Sequence, residues 1–269
     1  LPRLIDPHCH LDDPRWQASL QNSLQEAQQV GVGGALIPGY GPDRWVRQSE
    51  LLAQSKADFV LWGGFGLHPW AIPPAQPLPA LLEQLEHGWR QHTPGWGQML
   101  RAVGECGLDR SDRMVEVPLE LQQAVLAWHL EKARSSGLPV ILHLVRADGP
   151  ALQQLSEQAP WRGVVHGFSS HPQTVPAYLA AGLCLSYGSG LLVSEKIRQA
   201  LRATPLDRLM FETDGPVGWR VRLPAGEVAG PARLLEIAQA ASQVLGKSVE
   251  YLLARHRENC REVFRLDAA

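Results

Sequence analysis

The chain has 269 residues, 45% of them hydrophobic and 19% charged, which suits one large α/β domain with a full core. Its formal charge of −2 argues against a general polyanion binder. No uncharged apolar run of about 18 residues is present to cross a membrane.

The four cysteines, Cys9, Cys106, Cys184 and Cys260, are scattered and form no Cys-x-x-Cys pair. With no charged-then-apolar leader, the expectation is a reduced, cytoplasmic protein without disulfides or a membrane partner.

Along the chain, short apolar runs predict strands over Leu4–His10, Gly33–Tyr40, Phe59–His68, Leu100–Leu108, Pro139–Leu144, Gly163–Phe168, Cys184–Gly188 and Leu209–Asp214. Their apolarity is continuous rather than alternating, as in strands buried on both faces of a parallel sheet. Between them, Gln17–Val30, Asp43–Ser55, Ala80–Gln91, Val117–Ser136, Pro150–Gln158, Pro172–Ala181 and Glu195–Ala203 are amphipathic or rich in helix formers. Gly31, Gly137 and Gly182 stand just past helix ends, where a C-capping glycine belongs. Pro69–Pro79 reads as a long loop, and helices over Pro231–Leu245 and Val249–Phe264 close the chain.

Eight strands alternating with helices predict a single (β/α)8 TIM-barrel domain over 1–269. A doubly wound open sheet fits less well, since no Gly-x-Gly-x-x-Gly follows the first strand.

In such barrels chemistry gathers at the carboxyl ends of strands. The first run ends in His8 and His10, which point the same way because side chains two apart share a face. The third ends at His68, the fourth carries Glu105, the fifth ends at His143 and the sixth at His166. The eighth ends Glu212-Thr213-Asp214. One such histidine means little; His8, His10, His143 and His166 with Glu105 and Asp214 together point to a metal centre.

The number of ligands implies two divalent ions. His8, His10, Glu105 and Asp214 are expected to hold one, and Glu105, His143 and His166 the other, with Glu105 bridging. A carboxylated lysine could bridge instead, but Lys56, Lys132, Lys196 and Lys247 lie in predicted helices or loops. Water held between two such ions would ionise near neutral pH, and Asp214 could take its proton as general base. Four imidazoles suit Zn or Mn better than Mg.

These residues carry a family resemblance. The pieces Asp6-Pro7-His8-Cys9-His10-Leu11-Asp12, Gly66-Leu67-His68-Pro69, Gly104-Glu105-Cys106-Gly107-Leu108-Asp109, Leu138 to His143, His166-Gly167-Phe168-Ser169 and Glu212-Thr213-Asp214-Gly215-Pro216 resemble, in order, those of TatD-type metal-dependent hydrolases, in their YjjV-like branch. The resemblance implies a (β/α)8 fold, the same ligands, and Mg-supported hydrolysis of DNA phosphodiesters, often as a 3′–5′ exonuclease. The chain departs from the family pattern at Arg146, one place late after His143, at His129, where glutamine is usual, and at Val228-Ala229-Gly230-Pro231, where a basic stretch is usual. These departures are expected to lie in or near the substrate zone.

His68, Arg146, Glu212 and Arg220 are assigned to the substrate side, and Glu212 is also placed to orient a ligand from behind. Arg110, Arg113 and Arg222 are further candidates for phosphate. Trp70 and Trp219 could stack on bases. Asp109 and Asp112 read as loop or capping residues, and His87, His92, His171 and His256 as surface residues. Cys9 and Cys106 are expected to point away from the ligands.

The expected enzyme is a monomeric deoxyribonuclease acting on single-stranded DNA. Two alternatives are a hydrolase of a small amide, lactone or cyclic imide, and a metal-binding protein without catalysis.

Overall fold

Each apolar run supplies one strand of a parallel barrel in the computed structural model, which describes residues 4–16, 19–216, 218–224 and 227–266. The strands are β1 (Leu4–Asp6), β2 (Val32–Ile37), β3 (Val60–Phe65), β4 (Leu100–Asp109), β5 (Val140–Val145), β6 (Gly163–Val165), β7 (Cys184–Tyr187) and β8 (Leu209–Phe211), neighbours in that order. The helices are α1 (Leu20–Gln29), α2 (Pro42–Ala53), α3 (Leu78–Trp96), α4 (Leu119–Ser136), α5 (Asp148–Ser156), α6 (Val175–Ala180), α7 (Gly190–Val193), α8 (Glu195–Ala203), α9 (Leu234–Leu245) and α10 (Val249–Phe264). Gln17 and Ala18 of the expected first helix lie outside the described residues, and the short α7 was not anticipated. No described helix is long and apolar enough to cross a membrane.

Every strand gives one residue to the barrel interior: Ile5, Leu36, Trp62, Ala102, Ile141, Val164, Cys184 and Met210. Cys260, Val263 and Phe264 of α10 and Leu266 beyond it pack on this layer and close the amino-terminal end. A second, larger cluster fills the space between sheet and helices, where Val103, Cys106 and Leu108 of β4 point outward. The helices shed their orphan carbonyls where sequence suggested: Gly137 caps α4 with φ +65°, a left-handed conformation that glycine adopts without strain.

Five strands stop well short of their apolar runs. β1 ends at Asp6, β2 at Ile37, β3 at Phe65, β6 at Val165 and β8 at Phe211, each three or more residues before its expected end. Most of the remaining residues are still buried, polar ones included, but they leave the ladder at the barrel mouth. β4 does the reverse and continues to Asp109. It also carries a bulge, because Val103 pairs with Val140 but Cys106 pairs with Leu142. The extra residue reverses the alternation, so Glu105 turns into the mouth although Val103, two before it, points out.

Closure between β8 and β1 uses side chains and loops. Cys9 bridges Gly215 in parallel register, Asp214 donates its backbone N–H to the His8 carbonyl at 2.9 Å, and His10 donates to the Gly215 carbonyl at 2.7 Å. Asp6 accepts from the Thr213 backbone at 3.2 Å, from the Thr213 hydroxyl and from the His8 backbone at 3.3 Å. His256, expected at the surface, is buried between the two strands, since α10 turns this face inward with Leu252 and Cys260.

Candidate metal centre

The six side chains singled out as ligands meet at the mouth of the barrel, with the Glu105 carboxylate in their midst. Its Oε2 lies 3.1 Å from His8 Nε2 and 3.2 Å from His10 Nε2. Asp214 Oδ1 completes this side, 3.6 and 3.7 Å from the same two nitrogens. Its Oε1 faces the other way, 2.7 Å from His166 Nε2 and 2.9 Å from His143 Nδ1. His68 joins that second side with Nε2 at 3.1 Å.

The local chain explains this convergence. His8 and His10 flank Cys9, whose bridge to Gly215 holds the segment extended, so both imidazoles face inward while the Cys9 thiol turns out to the Gly215 carbonyl. Asp214 has φ +51°, unusual for a residue with a side chain, and its N–H bond to His8 fixes that conformation beside the imidazole. Cys106, beside Glu105, points to the Ile141 carbonyl. Burial raises both thiols, so neither has nucleophile character here.

The donor set fits divalent cations. His8 Nδ1 and Nε2, His10 Nδ1 and Glu105 Oε2 are buried without hydrogen-bond partners, a costly arrangement unless something else satisfies them. Ligand atoms of a tetrahedral site with bonds of roughly 2.1 Å stand about 3.4 Å apart. The separations of 3.1 to 3.7 Å around Glu105 Oε2 and Asp214 Oδ1 bracket that figure. Nitrogen and carboxylate donors suit Zn or Mn.

Electrostatics point the same way. Burial raises the Glu105 carboxyl, but His166, His68 and His8 outweigh it and hold the group well below the usual carboxylate range. Burial opposes charge on His166, yet Glu105 and Glu212 on either side lift it well above the usual imidazole range. His10 and His143 are also raised: burial opposes their charge, and their carboxylate neighbours outweigh it. His68 differs, and burial pushes it down to about 3.

Carboxylates stand behind several of these rings. Glu212 Oε1 lies 3.3 Å from His166 Nδ1 and accepts the Gly167 N–H. It is 1% exposed and stands behind His166, in keeping with the ligand-orienting place two residues before Asp214 that sequence suggested. Asp109, read from sequence as a loop residue, sets Oδ2 3.1 Å from His143 Nε2. Asp12 Oδ1 lies 4.0 Å from His10 Nδ1, and both its oxygens are buried without a partner. Strand parity could have found Asp109, which shares its face of β4 with Glu105. Tyr40 was also missed: it stacks on His68 and meets His10 edge-on, with Arg44 over its ring at 3.8 Å.

The arginines lie outside this cluster. Arg146 is 67% exposed and pairs with Asp112 at 3.5 Å, so it stands on the rim and not at the centre. Arg220 is exposed but lines a cavity with Asp214, Gly218 and Glu212. His129 is corrected from the substrate zone to the protein interior, where its Nε2 accepts the Leu67 N–H at 3.0 Å and so braces the segment before His68.

A model of the TatD-related DNase family matches residues 5–265. The chain is 33% identical over 217 residues to the uncharacterized metal-dependent hydrolase YjjV of Escherichia coli K12, covering 80% of each protein. It is 30% identical over 275 residues to the 3′–5′ ssDNA/RNA exonuclease TatD of Pectobacterium carotovorum, covering 98% of this chain and 100% of that one. The crystal structure of E. coli YjjV, a TatD homologue, matches with a TM-score of 0.83 at 28% identity, over 98% of this chain and 99% of that one.

Proposed function

This chain belongs to the TatD-related DNase family, and on that premise we propose a divalent-metal-dependent hydrolase that shortens single-stranded DNA from its 3′ end by cleaving phosphodiesters. The observation that carries the reading is the two-sided Glu105 carboxylate, with His8 and His10 on one oxygen and His143 and His166 on the other. His8, His10, Asp214 and Glu105 would hold one ion; Glu105, His143 and His166 would hold the second. Mn or Zn suits these donors better than Mg. Bound there, the ions would supply Lewis acidity toward a phosphoryl oxygen and lower the pKa of water.

The chain's own residues divide the remaining work. The Asp214 side chain is 23% exposed, against 1% to 9% for the other five, so it is the carboxylate that an incoming water reaches. It takes the proton as that water attacks phosphorus, and can return it to the departing oxygen. His68 keeps its hydrogen on Nε2 and offers it to a phosphoryl oxygen. Arg220, on the wall shared with Asp214, neutralises the phosphate, and Arg146 on the rim meets the phosphate beyond it. The four thiols are free and buried, which supports work in the reducing cytoplasm.

The second reading is a hydrolase of a small amide, lactone or cyclic imide. It is favoured by the position of Arg146, which pairs with Asp112 rather than turning to the cluster. Single-stranded DNA labelled at its 5′ end, incubated with the Mn-loaded protein, separates the two. Stepwise shortening that disappears in the His8→Ala/His10→Ala variant is expected. Intact DNA alongside turnover of a lactone or amide would overturn the nuclease reading.

A further inference from the structure

Five imidazoles crowd one carboxylate, and for His166, His143 and His68 the group behind the ring decides what its inner nitrogen offers. Behind His166 stands Glu212, and behind His143 stands Asp109, with Oδ2 at 3.1 Å from Nε2. A carboxylate only accepts, so the outer nitrogen keeps a hydrogen and the inner one keeps its lone pair. His68 is the reverse. Its outer nitrogen, Nδ1, accepts the backbone N–H of Trp70 at 2.9 Å, so Nδ1 carries no hydrogen and Nε2 carries one inward. The inner nitrogens of His68 and His143 are 3.2 Å apart, so the His68 hydrogen faces a lone pair, whereas those of His143 and His166, 3.0 Å apart, both keep lone pairs for a cation.

We propose that Trp70 assigns opposite roles to these neighbouring imidazoles, making His143 an Nδ1 metal ligand and His68 an Nε2–H donor. Its backbone N–H fixes His68. Its indole N–H donates to Asp109 Oδ2 at 2.7 Å, the same oxygen that receives His143 Nε2. Asp109 has little freedom to turn away. Ser111 N–H donates to Oδ1 at 2.7 Å, and Gln122 of α4 clamps the Asp109 backbone by accepting its N–H at 2.7 Å and donating to its carbonyl at 3.0 Å. Arg113 covers the indole face, 3.9 Å from the ring centroid. Trp70 and Asp109 are thus positioning residues that act through the two histidines. The inference rests on the reading of His143 as a metal ligand and adds which atom binds and what holds it.

Protonation of ring nitrogens is directly visible in long-range 1H–15N spectra of the full chain with 15N-labelled histidine. In the Zn-loaded protein, His143 is expected to carry hydrogen on Nε2 and zinc on Nδ1, and His68 to carry hydrogen on Nε2. Asp109→Asn removes the charge and replaces one of two acceptor oxygens by a donor; His143 should then populate the Nδ1–H form, and zinc should bind one of two sites about 10- to 100-fold more weakly. Trp70→Phe keeps the backbone N–H and a ring but removes the indole donor. It should leave the His68 signals in place and weaken the same zinc site by a smaller factor.

Hydrogen on Nδ1 of either histidine in the unsubstituted protein would overturn the proposal, as would unchanged zinc affinity in both variants. A protein that binds no zinc would instead refute the metal reading. The tautomers would then be settled on the metal-free chain at a pH where the spectra show both rings neutral.

Discussion

The Nε2–H of His256 donates to the Ile5 carbonyl at 2.9 Å, across the gap where β8 and β1 share no ladder among the described residues. Its Nδ1 accepts the Phe211 N–H at 3.1 Å, so one imidazole replaces two interstrand hydrogen bonds. His256→Leu would strand both backbone groups in the interior. A loss of about 2–5 kcal/mol is expected in urea unfolding of the metal-free protein; unchanged stability would show that the barrel closes without this ring.

The same residue makes stability depend on pH. Burial pushes His256 and His129 each down to about 4 from an ordinary 6.5. The unfolded chain therefore binds more protons at these two rings between those values, so the stability they contribute is complete above pH 6.5 and falls as pH drops toward 4. Each ring accounts for about 3 kcal/mol over that window. Unfolding free energies measured across it should slope less steeply in His256→Leu; an identical slope would exclude His256 as a source.

A methyl group built on Gly218 would lie 1.7 Å from Asp214 Oδ2. Gly218→Ala must therefore swing the Asp214 carboxylate away from its place beside His8 and His10. Turnover should fall about 100-fold with the melting temperature nearly unchanged. Full activity in this variant would mean that Asp214 does not act from the observed position.

Asp214→Asn preserves shape but cannot take a proton. The kcat is expected to drop by about 100- to 10,000-fold while the protein stays folded. Near-normal rates would exclude Asp214 as the base.

Arg146→Ala removes an exposed ion pair to Asp112, so stability should shift by less than about 0.5 kcal/mol. KM for DNA should rise more than kcat falls. Equal losses in both would assign Arg146 to the loop's architecture rather than to substrate.

The barrel was legible because continuous apolar runs spaced by amphipathic helices leave little else to build. The cluster of candidate ligands was legible because a histidine or carboxylate ending such a run has few other uses. What escaped was geometry that periodicity does not encode. The bulge at Gly104–Glu105 reverses the face of Glu105, and the apolar runs outlast the ladders at His10, His68, Phe168 and Asp214 because the mouth is still interior. Asp109 was lost by being read with the following loop although it completes β4. His256 was misread although Leu252, Cys260 and Val263 mark the same inward face of α10. Arg146 sits beyond the end of β5, where the backbone turns to φ +53° and carries its side chain outward.

The central claim is that Glu105 serves two ion sites at once, and counting bound metal tests it most directly. After loading with Mn or Zn and removal of free ions, the unsubstituted chain should hold two ions, His143→Ala one, and Glu105→Gln neither at full occupancy. Two ions retained in Glu105→Gln, or in His143→Ala, would contradict it.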